Sequence, residues 1–413
     1  MFFEKEAIMH NNYLHVNLKR DVHIILMALR KTLIEYGMLA AKHGLLDAEN
    51  KSSSDESREL ISFTSGLSGY IVAVSELVHG SDMRLAKYED DWCHVEEVML
   101  EYRSYSRELV RAAHFRLPEL DKLKEPIRNL AWLLHTTSFT DVRDDDLAAL
   151  PNQLAIYTLR CLGYIDQPEQ HQTIFIYQLP RLRPSQTRSR IMTLHDWINN
   201  VDPQAQQAPT KPSLGNRFFL AHALCLTLLN IHGSGWVHKN IWSRGIIIFP
   251  PAGPSSSSMN PRFVPYITSW GFSRPITGGT DLAADTEVEP NYYRHPVHQG
   301  YPETPFKVEH DIYALGVVLL EIGMSETVNC IFKKQMDKAA FKGRLLPPDM
   351  IKQALVETAR AGLPSRMGDA YAMSVERCLR GDFGVVDDEE NRAVLSAAFR
   401  EMVIDTIAGG MKL

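Results

Sequence analysis

Residues 235–249 read Gly-Trp-Val-His-Lys-Asn-Ile-Trp-Ser-Arg-Gly-Ile-Ile-Ile-Phe, and the segments on either side have opposite periodicities. Upstream, Gly215 to Gly233 is the longest apolar run with helical spacing. Downstream, the isoleucine run and a second β-like run, Phe263 to Trp270, flank a stretch rich in Pro, Gly and Ser (Pro250 to Pro261) that reads as a loop. Three further landmarks follow in order. Ser269-Trp270-Gly271 ends the second β-like run, and Tyr293-Arg294-His295-Pro296 comes after an acidic stretch. Asp311-Ile312-Tyr313-Ala314-Leu315-Gly316 then opens an apolar helix.

Working toward the N-terminus, Thr173 to Leu179 and Leu159 to Ile165 are apolar runs around a polar turn and predict a hairpin. Leu117 to His135 reads as a helix after Pro118, and the stretch from His94 to Tyr105 alternates as a strand does. Strand, helix and hairpin are followed by a basic and polar linker, 181–190. Leu14, Leu18, Val22, Ile25, Leu26, Leu29, Leu33 and Tyr36 recur at three- and four-residue steps, the mark of one helix face. Gly44 stops that pattern, 47–57 is a polar linker, and a second helical pattern runs from Ser57 to near Gly80. Residues 1–85 therefore read as a helical hairpin, and the fold class as α+β.

Lys and Arg total 44 against 50 Asp and Glu, so the net charge is -6, and no basic block is long enough to follow a phosphate backbone. Nucleic acid is not an expected partner. Cys93, Cys161, Cys225, Cys330 and Cys378 are odd in number, far apart and without zinc-ligand spacing, which favours a reduced, intracellular and cytoplasmic protein. Residues 1–12 lack the apolar core of a signal peptide, and the apolar run Gly66 to Val78 is too short for a membrane span. Membrane contact is expected only through residues 13–79.

The landmarks around residue 238 resemble those of a protein kinase, whose catalytic loop H-R-D-L-x-x-x-N follows a long helix and precedes a strand. His238 and Lys239 match its first two positions. Asn240 stands where the catalytic Asp would be, and Gly245 where the metal-binding Asn would be. Ser269-Trp270-Gly271 stands at the Asp-Phe-Gly position, Tyr293 to Pro296 at the segment ending in Ala-Pro-Glu with Val297 for the Glu, and Asp311 at the residue that anchors the loop backbone. The resemblance covers roughly residues 94–405. It implies a two-lobed fold with an N-lobe over 94–180 and a helical C-lobe over 181–413. More narrowly, GWVHKN, the YRHP motif with a nearby QGYP, and HDIYALGVVLLEIG look like the degenerate kinase-like domain that accompanies HeLo-type helical domains in fungal prion-inhibition and cell-death signalling proteins. On that resemblance residues 1–85 correspond to part of a HeLo-like region, being shorter than a whole one.

Phosphoryl transfer needs a lysine on the phosphates, carboxylate and amide ligands for magnesium, and an aspartate that accepts the substrate proton. The strand that would end in the lysine reads Val98-Met99-Leu100-Glu101, an anion at the phosphate position. Arg103 lies two residues on, on the same face, and would substitute only after a register shift. No glycine-rich loop precedes that strand; Gly66-Leu67-Ser68-Gly69 is the nearest candidate and falls in a helical pattern. Asn240 has no basicity near neutral pH, Ser269 is not a carboxylate, and Gly245 has no side chain.

Other features read as structural. His238 is expected as a buried histidine packed near Ser269 to Gly271, and Asp311 as a helix N-cap that also accepts backbone N–H bonds from residues 238–240. Asp382-Phe383-Gly384 spells the metal triplet but comes far downstream, and reads as a turn after a helix ending at Leu379. Asp281 to Glu289 reads as a solvated loop, in which Thr280 and Thr286 lack an arginine cluster to receive a phosphate. The expectation is a pseudokinase-type signalling or interaction module, working through unknown protein partners, with no cofactor and no metal site. Two alternatives stay open: an atypical active kinase using ATP and magnesium with Arg103 on the phosphates, and a helical effector regulated by the kinase-like part.

Overall fold

The computed structural model describes residues 70–77, 83–89, 95–115, 117–136, 156–180, 191–199, 212–249, 263–278, 288–300, 302, 304–333, 347–385 and 391–411. It is α+β, with antiparallel sheets followed by helices. The leucine stripe of 13–46, the linker 47–57, Gly66 to Gly69, Cys93, Thr280 and Thr286 lie outside the described residues.

Strands β1 (Tyr70–Leu77), β2 (Arg84–Glu89), β3 (Val95–Ser104), β4 (Cys161–Gln167) and β5 (Gln172–Gln178) form one antiparallel sheet in the order β1-β2-β3-β5-β4. This corrects the helical reading for residues 70–77 and for the start of β2; residues 1–69 lie outside the described residues. Tyr70 to Leu77 is a strand, paired with β2 from Tyr70↔Glu89 to Leu77↔Arg84. Its Ile71, Val72 and Val74 are β-branched and fit a pleated ladder, and pairing overrides apolar spacing that also suits a helix. The sheet thus begins at Tyr70 rather than at 94.

Helices α1 (Arg107–Phe115) and α2 (Leu120–Thr136) join β3 to β4. Alternation along β3 sends Val98 and Leu100 into a small core with Ala86, Tyr88, Ile174 and Ile176, and Met99 into the main core with Phe175, Tyr177 and the buried face of α2. The even period places Glu101 and Arg103 on that second side. Asp166 on β4 holds α2 through Lys124 Nζ (2.5 Å) and also accepts from the Tyr105 hydroxyl.

Beyond the sheet come β6 (Met192–Thr193), α3 (Leu194–Ile198), α4 (Leu214–Gly233), β7 (Trp236–Val237), β8 (Ile246–Phe249), β9 (Val264–Ile267) and β10 (Arg274–Pro275). Strands β6, β8 and β9 form one small sheet, and β7 pairs with β10. Then follow α5 (Val288–Tyr293), α6 (Val308–Met324), α7 (Pro348–Gly362), α8 (Pro364–Met367), α9 (Asp369–Arg380), α10 (Arg392–Phe399) and, after a π turn, α11 (Asp405–Gly410). Ser213 caps α4 by accepting the Asn216 N–H (3.3 Å). That helix is apolar and long enough by composition to cross a membrane, but most of it is buried against its neighbours, as is every residue of α6 except Glu309. A helix apolar on all sides forms a core rather than a surface. Here α6 packs against α4, α7 and α9. Its first residue is Val308, so Asp311 is one turn inside the helix and is not its N-cap. Asp382-Phe383-Gly384 follows α9 as a turn, with Phe383 buried, Asp382 exposed and Gly384 at φ +66°.

The close approach of α6 to α9 depends on Gly316, where an added Cβ would stand 2.8 Å from Cys378 Cβ and 3.2 Å from the Leu379 backbone nitrogen. Backbone on the far side leaves no flexible atom to yield. Gly316→Ala should therefore lower stability by about 1–3 kcal/mol in urea unfolding with an unchanged denaturant slope; an unaltered midpoint would show that the two helices do not meet there.

Candidate functional site

The segment between α4 and β8 is organised by one carboxylate. Helix α4 stops at Gly233, Ser234 turns its hydroxyl back to the Asn230 carbonyl (2.9 Å), and Gly235 takes φ +81°, which sends the chain into β7. Asp311, fully buried on α6, then accepts the backbone N–H of His238 at Oδ2 (2.7 Å) and that of Lys239 at Oδ1 (2.8 Å). His232 on α4 lies 3.2 Å away through Nε2, which must carry the proton because a carboxylate only accepts. These contacts hold Lys239 at φ +69°, a left-handed conformation that costs a non-glycine residue roughly 1 kcal/mol.

His238 is completely buried. Its Nδ1 accepts the Asn240 N–H (3.3 Å), so the proton sits on Nε2, and its ring meets Trp270 edge-on with centroids 4.6 Å apart. Burial pushes its pKa down to about 4, against the pull of Asp311. A histidine in that state is neutral across the physiological range and moves no proton. The Ser273 hydroxyl donates to its carbonyl (3.1 Å), joining the loop to β10.

Gly245 and Ser269 come together. The Thr268 N–H and hydroxyl both donate to the Gly245 carbonyl (2.8 and 3.0 Å), and a Cβ at Gly245 would stand 2.8 Å from the Trp242 ring and 3.1 Å from Ser269 Oγ. Ser269 is itself left-handed (φ +67°), and Trp270 is buried with its Nε1 donating to the Ile267 carbonyl (3.2 Å). There is no room for an amide side chain at 245, and a hydroxyl is all that 269 offers. Among the described residues no group of three His, Cys, Asp or Glu side chains is placed to hold a metal ion.

Glu101 faces this loop from β3. Opposite Phe175 in the β3–β5 ladder, it is buried and accepts from the Tyr177 hydroxyl (3.1 Å). Burial raises its pKa to about 7; the Tyr177 hydroxyl, Arg103 and the backbone at Trp270 and Gly271 oppose the rise. Arg103, opposite Thr173, donates Nη2 to the Ser273 carbonyl (3.0 Å), while Nη1 is buried with no hydrogen-bond partner among the described residues. A second buried carboxylate, Glu321 on α6, accepts from the Tyr293 hydroxyl (2.7 Å) and the Val328 N–H (2.8 Å), tying the end of α5 to α6.

Lys239 and Asn240 border a shallow notch that Trp242, Tyr293, Arg294 and Phe306 also line, and the Lys239 ammonium lies 5.8 Å from the Phe306 ring centre. Tyr177, His232, Ser273 and His298 escaped the reading of the sequence, in which His295 and His310 figure only as parts of the YRHP and HDIYALG motifs. Only the His-Pro-Val-His spacing of 295–298 gave a local signal. The chain matches no protein-family model, and no curated protein matches it significantly.

Removing one acceptor from the 238–239 loop tests this architecture. Asp311→Asn keeps one oxygen but turns an NH2 group toward a backbone or imidazole N–H, so stability should fall by about 3 kcal/mol in chemical denaturation. A loss under about 1 kcal/mol would show that other contacts hold the loop.

Proposed function

We propose that the chain is a protein-kinase-like scaffold without phosphotransferase chemistry, acting as a pseudokinase-type signalling or interaction module on protein partners. Several observations support the two-lobed reading. The sheet order β1-β2-β3-β5-β4 has its helices between β3 and β4, the His238-Lys239-Asn240 loop follows a buried helix, and Asp311 on a second buried helix binds that loop's backbone. The ion pair that holds α2 runs to Asp166 on β4 and not to β3, where an active kinase pairs its phosphate lysine.

The single observation that carries the absence of chemistry is Glu101. A phosphotransferase needs a cation at that point of β3 and a metal-binding carboxylate on the facing loop. Here an acid stands on the strand instead, buried, with the Tyr177 hydroxyl donating to it and Arg103 beside it. Ionised, it would repel a triphosphate at low dielectric; protonated, it supplies no cation to bind one. One feature favours the rival reading of an atypical kinase: Arg103 Nη1 is buried with no partner among the described residues, a donor available to an anion.

Thermal unfolding with and without ATP and magnesium separates the two. Binding at a hundred times Kd would add about 2.7 kcal/mol, a shift of several degrees. The scaffold reading expects none. A nucleotide-dependent rise that disappears in Arg103→Ala would overturn it in favour of an active enzyme.

A further inference from the structure

Away from the Asp311 loop, three histidines from separate stretches converge. His295 follows α5, His298 ends the short turn Pro296–His298, and His310 lies in the first turn of α6. The His298 and His310 rings are 4.4 Å apart between centroids, His295 stacks on His310 at 5.0 Å, Phe306 lies 5.0 Å from both His298 and His310, and Tyr313 meets His295 edge-on at 5.1 Å.

Hydrogen bonds fix the protonation of two of the rings independently of any titration. His310 Nδ1 accepts the Lys307 N–H (2.9 Å) and His295 Nε2 accepts from Lys352 Nζ (3.3 Å), so both nitrogens present lone pairs. His298 Nε2 is buried with no partner among the described residues, as is His295 Nδ1. A proton added to His310 Nδ1 or His295 Nε2 would set one donor against another.

The charges facing the trio have the same bias. Lys307 and Glu309 come from the start of α6, with Glu309 Oε1 3.6 Å from His310 Nε2; Lys352 and Asp349 come from α7, with Arg380 of α9 acting on Lys352. Lys239, Arg274 and Arg294 also bear on His298, and Arg274 donates to the Phe306 carbonyl (3.0 Å). Cations outnumber carboxylates, and burial adds to them: His295 is pushed down to about 4, His298 is lowered, and His310 falls to about 2. Groups depressed in this way contribute their full stability above the ordinary histidine value and lose it progressively as pH falls toward the folded values.

We propose that His295, His298 and His310 form a proton-sensitive clasp between segment 294–299 and the start of α6, which opens below roughly pH 6 while the α4–α6 core stays folded. Opening moves Tyr293 and Arg294 away from Phe306 and Lys239, so the notch beside Asn240 changes shape with pH.

Hydrogen exchange of the full chain between pH 7 and pH 5, corrected for intrinsic rates, tests this. Amides of 294–299 and 306–310 should lose protection at least about tenfold at pH 5, while those of α4 and the interior of α6 do not. His310→Asn keeps an acceptor for the Lys307 N–H but takes up no proton; it should remove most of the response, as should His295→Phe combined with His298→Phe. Equal loss of protection along the whole chain, or an undiminished response in His310→Asn, would overturn the proposal.

Discussion

Everything around residues 232–245 is referred to the carboxylate of Asp311. A charge buried this deeply is tolerated only when its lone pairs are filled, and three donors fill them: two consecutive backbone N–H groups and the His232 imidazole. Two successive N–H groups can point at one carboxylate only if the backbone between them bends sharply, which accounts for the left-handed Lys239. The direction in which Lys239 and Asn240 leave the core is thereby set from α6, and so is the notch they border. A helix, a turn and a loop distant in sequence become a single unit because one acid has no other way to be solvated.

The face opposite that loop follows the same rule with a different outcome. Glu101 is placed by the alternation of β3, and it accepts from the Tyr177 hydroxyl of the neighbouring strand. Gly245 and Ser269 are brought within contact by the Thr268 bonds, yet between them they offer one hydroxyl. The region is polar, but its groups satisfy one another. Under the scaffold reading this is the physical content of lost chemistry: the carboxylates that could have met a ligand are held by donors within the chain, while among the described residues Arg103 Nη1, His238 Nε2 and Trp242 Nε1 are buried without a partner.

Much of this was legible in the sequence where a local period decides. Helices α4 and α6 are long and uniformly apolar, and the β4–β5 hairpin is two β-like runs around a polar turn. Order along the chain was enough to place His238 and Asp311 in reach of each other. The reading failed where pairing decides instead. Ile71, Val72, Val74 and Leu77 satisfy helical steps and strand preference alike, and only the ladder with β2 selects between them. Asp311 looked like a cap because the last charged residue before an apolar run often is one, but the helix starts one polar turn earlier. Tyr177 against Glu101 is a matter of strand register, and the three histidines meet only because α5, a short turn and α6 fold onto one another. No window of sequence contains such information.

The burial of Glu101 also bears on how this chain can diverge. A lysine there would face the Tyr177 hydroxyl, which now donates to the acid, and would sit beside Arg103. Side chains of useful size at 245 would in turn collide with Trp242. Any mutational walk toward a nucleotide-handling pocket therefore begins downhill in stability, and several changes must accumulate before any of them helps. The architecture works as a ratchet: once the interior has closed over a carboxylate, selection on single substitutions keeps it closed.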